Sequence, residues 1–428
     1  MKGPAPLGDL AQRDARLLWH PYTQHGLEPA PLAVRAAEGA ELVLEDGRRL
    51  VDAISSWWTC LHGHGRPELI EAMAAQARRL DHVLFAGATH EPAVALAERL
   101  QPLLPAGLTR LFYSDDGSTA VEIALKLAYQ AQERRGEGQR RLFVALEGGY
   151  HGDTFGAMAV GDPDPFFLPF RELLFDVRRV APTAEALAAL LEQEGQRAAA
   201  LIVEPLIQGA AGMRLHSAEF LRAARALCDR HGLFLIADEV MTGFGRSGEL
   251  FACGRAGIAP DLMTLAKGLT GGLLPLAATA ASEAIYAAFL GRQRSRAFFH
   301  GHSFTAHPIG CAVALRSLDL CLAEAVPARL EALGQRLHAR LASALGGDRR
   351  VRDLRQLGGM VAFDLTAERG DVQGYLSELS PRLRQVAIDH GVLLRPLGQV
   401  VYALPPACTD SAQLERIAAA MLALVEAA

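Results

Sequence analysis

Lysine is nearly absent from this chain of 428 residues: all but three of its 43 lysine and arginine side chains are arginine, the exceptions being Lys2, Lys126 and Lys267. A guanidinium keeps its proton, whereas a partly buried ammonium can lose it and attack a carbonyl to give a Schiff base. A lysine retained in an apolar, glycine-flanked stretch is therefore expected to serve through its amine, and Lys267, in Leu-Met-Thr-Leu-Ala-Lys-Gly-Leu, fits that description. Lys2 belongs to the terminus and Lys126 reads as part of a solvated helical face. The six cysteines form no Cys-x-x-Cys pair, which favours reduced thiols over a disulfide frame or a zinc site. No stretch reads as a membrane span and the first residues carry no leader pattern, so a cytoplasmic protein without a membrane partner is expected. The net charge of −5 and the lack of a basic stripe argue against a nucleic-acid partner. There is no internal repeat, and no G-x-x-x-x-G-K-[ST] to make a nucleotide loop.

Half of the residues are hydrophobic, enough for a large core. Short apolar runs at 110–114, 141–146, 199–203, 233–237 and 262–265 alternate with helical patterns, which predicts an α/β fold with a largely parallel sheet. Ser217 and Gly232 read as the N-cap and stop of one of its helices. From Val326 the pattern changes to a long Ala/Leu/Arg helix, short strands at 360–363, 391–394 and 400–402, and a final helix. Glu41-Leu-Val-Leu44, before the Asp46-Gly47 turn, is expected to complete that smaller α+β unit from the other end of the chain. The expected division is a large domain over 60–325 and a small one built from 1–59 and 326–428.

Asp238 closes a buried strand, where open α/β sheets place their ligands, and Lys267 follows the next strand. An acid and an amine in one crevice suit pyridoxal phosphate: the lysine holds its aldehyde and the acid keeps the pyridine nitrogen protonated, so that the ring becomes an electron sink. Ser114-Asp-Asp-Gly-Ser-Thr119 leads from a strand into a helix, so that backbone N–H groups at Gly117 and the Ser118 hydroxyl can meet a phosphate. Read alone, that stretch is better taken as an ordinary N-cap. Tyr150, in Gly148-Gly-Tyr-His-Gly-Asp153, offers a ring to stack on a planar cofactor, or a plug for a surface loop. His62 and His64 have the look of a metal pair but no acidic or thiol companion, and are read as shaping a turn; no metal is expected.

In order, Gly117-Ser118, Gly149-Tyr-His-Gly-Asp153, Glu204-Pro-x-x-Gln208-Gly209, Asp238-Glu-Val-x-x-Gly-Phe-Gly-Arg246, Lys267-Gly and His300-Gly-x-Ser-Phe304 resemble the class III aminotransferases of pyridoxal-phosphate fold type I, over essentially the whole chain. The resemblance implies a mostly parallel seven-stranded sheet, Lys267 as catalytic residue, a homodimer with shared active sites, and Ser303 reaching the phosphate of the partner chain. Asp116 stands where a serine is common and His302-Ser303 where Pro-Thr is usual; the first places an acid beside the expected phosphate unless it caps the helix.

Within that family, Trp19-His-Pro-Tyr22, Ser55-Ser-Trp-Trp58 and the segment Gly391 to Tyr402 resemble the branch serving biotin synthesis. That branch moves an amino group from S-adenosylmethionine to 8-amino-7-oxononanoate in a ping-pong reaction. Tyr22, Trp57 and Trp58 are then expected along the apolar part of the acceptor, Gly301 beside it and Arg395 on its carboxylate. Arg246 is expected to assist Arg395, Tyr402 to support the site, and Glu204 to hold an arginine or a cofactor oxygen. The bland alternatives are a packed tryptophan pair and a structural ion pair at Arg395. Functional alternatives are an ornithine, 4-aminobutyrate or β-alanine aminotransferase, the same acceptor with lysine as donor, a different pyridoxal reaction such as an aminomutase or decarboxylase, and a non-catalytic binding protein.

Overall fold

The computed structural model describes residues 10–162, 166–366 and 376–428; Lys2 lies outside them. Its centre is a seven-stranded sheet made of β1 (Leu108–Ser114), β2 (Leu142–Leu146), β3 (Val177–Val180), β4 (Ala198–Val203), β5 (Phe234–Asp238), β6 (Leu262–Leu265) and β7 (Ala277–Ser282). The spatial order is β1-β7-β6-β5-β4-β2-β3. All the pairings that omit β7 are parallel, and β7 runs antiparallel to both of its neighbours. β2, β4, β5 and β6 are buried at every position. Helices cover both faces of such a sheet, so its strands appear as unbroken apolar runs.

β3 and β7 are the two strands that the apolar runs did not announce. β3 is Val-Arg-Arg-Val, with the arginines half-buried. β7 is Ala-Ala-Thr-Ala-Ala-Ser, poor in strand-forming residues. Its small side chains leave room for helix α1 (Gly117–Arg134), and the Thr279 hydroxyl donates to the Ala120 carbonyl of that helix at 2.8 Å. The helix foreseen after β4 spans Ala218–His231, with the Ser217 hydroxyl accepting from the Phe220 N–H and Gly232 left-handed at φ 75°.

A second sheet joins distant parts of the chain. Strands Val34–Glu38, Glu41–Leu44 and Arg49–Asp52 are antiparallel, and Arg49–Asp52 then pairs in parallel with Val392–Leu393. A third sheet contains Val351–Leu357, Met360–Leu365 and Val400–Ala403. Helices Val326–Leu345 and Ser411–Ala427 pack in this region, and one apolar cluster runs continuously from Leu424 through Tyr402 and Trp58 to Leu108. The residues between the large sheet and this second body form the walls of a cavity.

Candidate active site

The cavity, of about 390 Å³, opens at the carboxyl ends of β5 and β6. The parallel register sets Asp238 beside Thr264, and the chain then passes through Ala266 to Lys267 at the start of a 3-10 turn. Both Asp238 and Lys267 line the cavity. Three donors fix the carboxylate. His151 Nδ1 lies 2.6 Å from Oδ2, while the Thr264 hydroxyl and the Val240 N–H donate to Oδ1 at 3.0 and 3.1 Å. Burial pulls the His151 pKa down, but the hydrogen bond and charge of Asp238 outweigh it and the net shift is upward.

Burial lowers the Lys267 pKa to about 8, against the upward pull of Asp238 and Glu204. Its amine is thus poised to act as a nucleophile or base near neutral pH. Among the described residues Glu204 holds neither an arginine nor any other side chain, contrary to one expectation: its two oxygens accept from the Tyr150 and Gly209 N–H groups at 3.1 and 3.0 Å. Burial raises its pKa to about 7.

At the far end of the cavity lies the N-terminus of α1, with Gly117 and Ser118 in the wall. Asp116 caps this helix, accepting from the Thr119 N–H at 2.9 Å in a capping box that spends its carboxylate on the helix itself. A Cβ at Gly117 would sit 2.7 Å from Val240, and one at Gly152 would sit 2.1 Å from the Ser118 hydroxyl oxygen. Backbone with no side chain is needed at both places. An amine, a fixed carboxylate and a helix N-terminus around one cavity fit the aldehyde, ring nitrogen and phosphate of pyridoxal phosphate. Tyr150 joins that wall and stacks on Phe167, with centroids 6.2 Å apart.

Of the two tryptophans, Trp58 lines this cavity and Trp57 does not. Trp58 is buried in the cofactor-sized cavity, its ring centroid 4.5 Å from Lys267 Nζ and its indole N–H donating to the Tyr402 hydroxyl at 3.2 Å. Trp57 is outside that cavity, with the Arg395 guanidinium 4.6 Å from its centroid and Tyr22 packed at 5.5 Å. Tyr22 and Arg395 line an adjoining cavity of about 720 Å³. The Tyr22 and Tyr150 hydroxyls, 3.1 Å apart, join the compartments, and Tyr22 also donates to Asp153.

This division comes from an unusual backbone. Ser55, Ser56, Trp57 and Trp58 have φ of 49, 45, 69 and 74°, one turn in the left-handed region without a glycine. Such a conformation costs roughly 1–2 kcal/mol per residue, so the surroundings must impose it.

Two expectations require correction. Arg246 does not reach the cavities to assist Arg395; it is buried beneath, donating to the carbonyls of Trp58 and Pro405 at 3.1 Å each. His64 does have acidic and thiol neighbours, with Nε2 2.8 Å from Asp52 and Nδ1 3.7 Å from Cys60 Sγ, while His62 bonds separately to Ser317. Gly301 and Ser303 are exposed and line neither cavity of their own chain, which leaves the expected contact of Ser303 with a partner chain untouched. Among the described residues, no cluster of three or more metal-ligating side chains is present, and no helix is long and apolar enough to cross a membrane.

The family model for class III aminotransferases matches residues 22–425. The chain is a class III aminotransferase. A curated relative of this aminotransferase, adenosylmethionine-8-amino-7-oxononanoate aminotransferase of Synechococcus elongatus, is 47% identical over 96% of the chain and 98% of the relative. The crystal structure of the enzyme with that same name from Methanocaldococcus jannaschii superposes with a TM-score of 0.93 at 34% identity, covering 98% of this chain and 99% of the other. A PLP-bound amine transaminase from an uncultivated Pseudomonas species gives 0.89 at 33% identity, covering 96% and 98%. The cofactor of this class III aminotransferase is pyridoxal phosphate, and its fold is that of the fold type I transferases.

Sequence reasoning missed His151, Thr264 and Asp153 as parts of the site. His151 and Asp153 flank Gly152 in the very motif that gave Tyr150; Thr264, inside an apolar strand, left only its hydroxyl as a signal.

Proposed function

We propose that this aminotransferase moves an amino group from S-adenosylmethionine to 8-amino-7-oxononanoate in two half-reactions, making 7,8-diaminononanoate for biotin synthesis. The observation that carries the reading is the Tyr22–Trp57–Arg395 cluster, one residue removed from the Trp58–Lys267 contact. It offers an apolar wall to a chain and a guanidinium to a carboxylate beyond the reacting amine. The names of the relatives from Synechococcus and Methanocaldococcus support the same choice.

When bound, pyridoxal phosphate supplies an electron sink for the charge left as a proton leaves the substrate carbon. Gly117 and Ser118 would hold its phosphate, Tyr150 would cover its ring, and Asp238, oriented by His151 and Thr264, would keep a proton on its pyridine nitrogen. Lys267 takes the proton from the substrate carbon and returns it at the other end of the reacting system. Arg395 binds the acceptor carboxylate, and Tyr22 and Trp57 exclude water from its chain. Ser303 of the partner subunit completes the phosphate site, so the working form is a homodimer. Under this reading residues 60–325 carry the cofactor, residues 1–59 and 326–428 form the smaller domain, and the enzyme works in the cytoplasm.

The test is a single turnover followed by absorbance. Protein converted to its amino form is mixed with 8-amino-7-oxononanoate, and rapid return of the original visible band is expected. No return, together with return on adding pyruvate or 2-oxoglutarate, overturns the acceptor assignment. Conversion of the enzyme to its amino form by lysine and not by S-adenosylmethionine overturns the donor.

A further inference from the structure

The left-handed turn that separates Trp57 from Trp58 is anchored at its ends by ordinary contacts. The Ser55 hydroxyl donates to the Leu404 carbonyl at 2.7 Å, and the Trp58 carbonyl accepts from Arg246. Its middle is held by a carboxylate. Asp52 is fully buried, and its Oδ1 accepts from the Ser56 N–H at 2.9 Å and from the Ile54 N–H at 3.4 Å. Oδ2 takes the Ser56 hydroxyl at 2.7 Å and faces His64 Nε2 at 2.8 Å.

The neighbouring walls are cut to fit this turn. A Cβ at Gly209 would lie 3.2 Å from the Trp58 ring, and one at Gly272 would lie 2.9 Å from the Cys60 nitrogen. Trp58 therefore has little room to take another position. A buried carboxylate is costly unless each oxygen is satisfied. Here the donors are the Ser56 N–H and hydroxyl within the turn, the Ile54 N–H that leads into it, and one histidine, which ties the stability of the charge to the shape of the turn.

We propose that Asp52 is a positioning residue that holds the Ser55–Trp58 turn left-handed and thereby presents Trp58 to the amine of Lys267 and Trp57 to Arg395. The inference rests on the acceptor reading above for the identity of the substrate, but not for the geometry of the turn. His64 completes the carboxylate's shell, and Ser56, at the middle of the turn, is the residue through which Asp52 acts.

The test uses the holoenzyme carrying Asp52→Asn, which keeps the size of the side chain but turns one acceptor into a donor. The KM for 8-amino-7-oxononanoate is expected to rise about tenfold while the donor half-reaction changes less than about threefold. Tryptophan emission is expected to shift. Adding Ser56→Gly to Asp52→Asn is expected to recover at least half of the KM effect on a logarithmic scale, because glycine takes positive φ without a side-chain penalty. Equal losses in both half-reactions with no recovery by Ser56→Gly overturn the proposal. If Asp52→Asn does not fold, Ser56→Ala, which removes the hydroxyl bond to Asp52, is expected to raise the same KM by roughly threefold, and an unchanged KM overturns the proposal. Wild-type enzyme inert towards 8-amino-7-oxononanoate defeats the acceptor reading alone; the variants are then scored on the amine and ketone that the wild type does accept, with the same rescue and the same emission shift as criteria.

Discussion

Lys267 Nζ stands 4.5 Å from the centroid of the Trp58 ring. A ring face attracts a cation, so this contact opposes the burial that lowers the lysine pKa. Replacing Trp58 with leucine is expected to move that pKa further down, by about half a unit to one unit. The pH dependence of cofactor capture by apo protein measures the shift, and an upward movement would show that the ring does not stabilise the ammonium.

The same amine sets the pH range of capture in the unaltered protein. A pKa of about 8 leaves roughly a quarter of Lys267 neutral at pH 7.5, against about one part in a thousand for an ordinary lysine. Capture of free pyridoxal phosphate, followed by visible absorbance, is expected to accelerate as pH rises and to level off above about 8. A rate still climbing steeply at pH 9.5 would mean an ordinary lysine.

Lys267→Ala is expected to lower kcat by more than about 10⁴-fold, since it removes both the anchoring amine and the proton carrier. The variant should remain folded by circular dichroism, because the change removes a buried cation. Steady-state transamination near the wild-type rate would overturn the assignment.

Asp238→Asn is expected to change the acid response of the fold. In the native protein Asp238 raises the His151 pKa, so the pair contributes stability below the unfolded histidine value near 6.5, and that contribution is lost as pH rises through the folded pKa. Without the carboxylate, burial, the largest influence, is opposed only by the charge of Glu204, and His151 becomes a group with a lowered pKa. Its variant should therefore lose thermal stability, relative to wild type, as pH falls below about 6.5; melting curves at pH 5 and pH 8 decide it.

His62 and His216 already behave in that second way. Burial lowers both to about 4. Their contribution is present above about 6.5 and is lost as pH falls through about 4. Urea midpoints should drop across this window, and His62→Asn should flatten the drop.

The large sheet was legible because buried parallel strands are continuous apolar runs, and Lys267 was legible because so few lysines compete with it. Other parts gave no local signal. β7 is strand because α1 lies on it, not because alanine prefers to be extended. Ser-Ser-Trp-Trp contains no glycine or asparagine to announce positive φ; besides the nearby Asp52, its partners are Arg246 and Leu404, far along the chain. Arg246 was misread for a related reason. A motif reveals which residue type is present, whereas its role depended on which carbonyls the fold brought beneath it.

The bond from Trp58 to the Tyr402 hydroxyl spans 344 positions, and Arg246 braces Trp58 against Pro405. The floor of the catalytic cavity is thus unfinished until the ribosome has released the chain through Pro405. Contacts of such long sequence separation form late. A newly made chain therefore acquires its sheet before it acquires its chemistry, and shortened products ending before Tyr402 would retain the lysine but lack the wall against which it works.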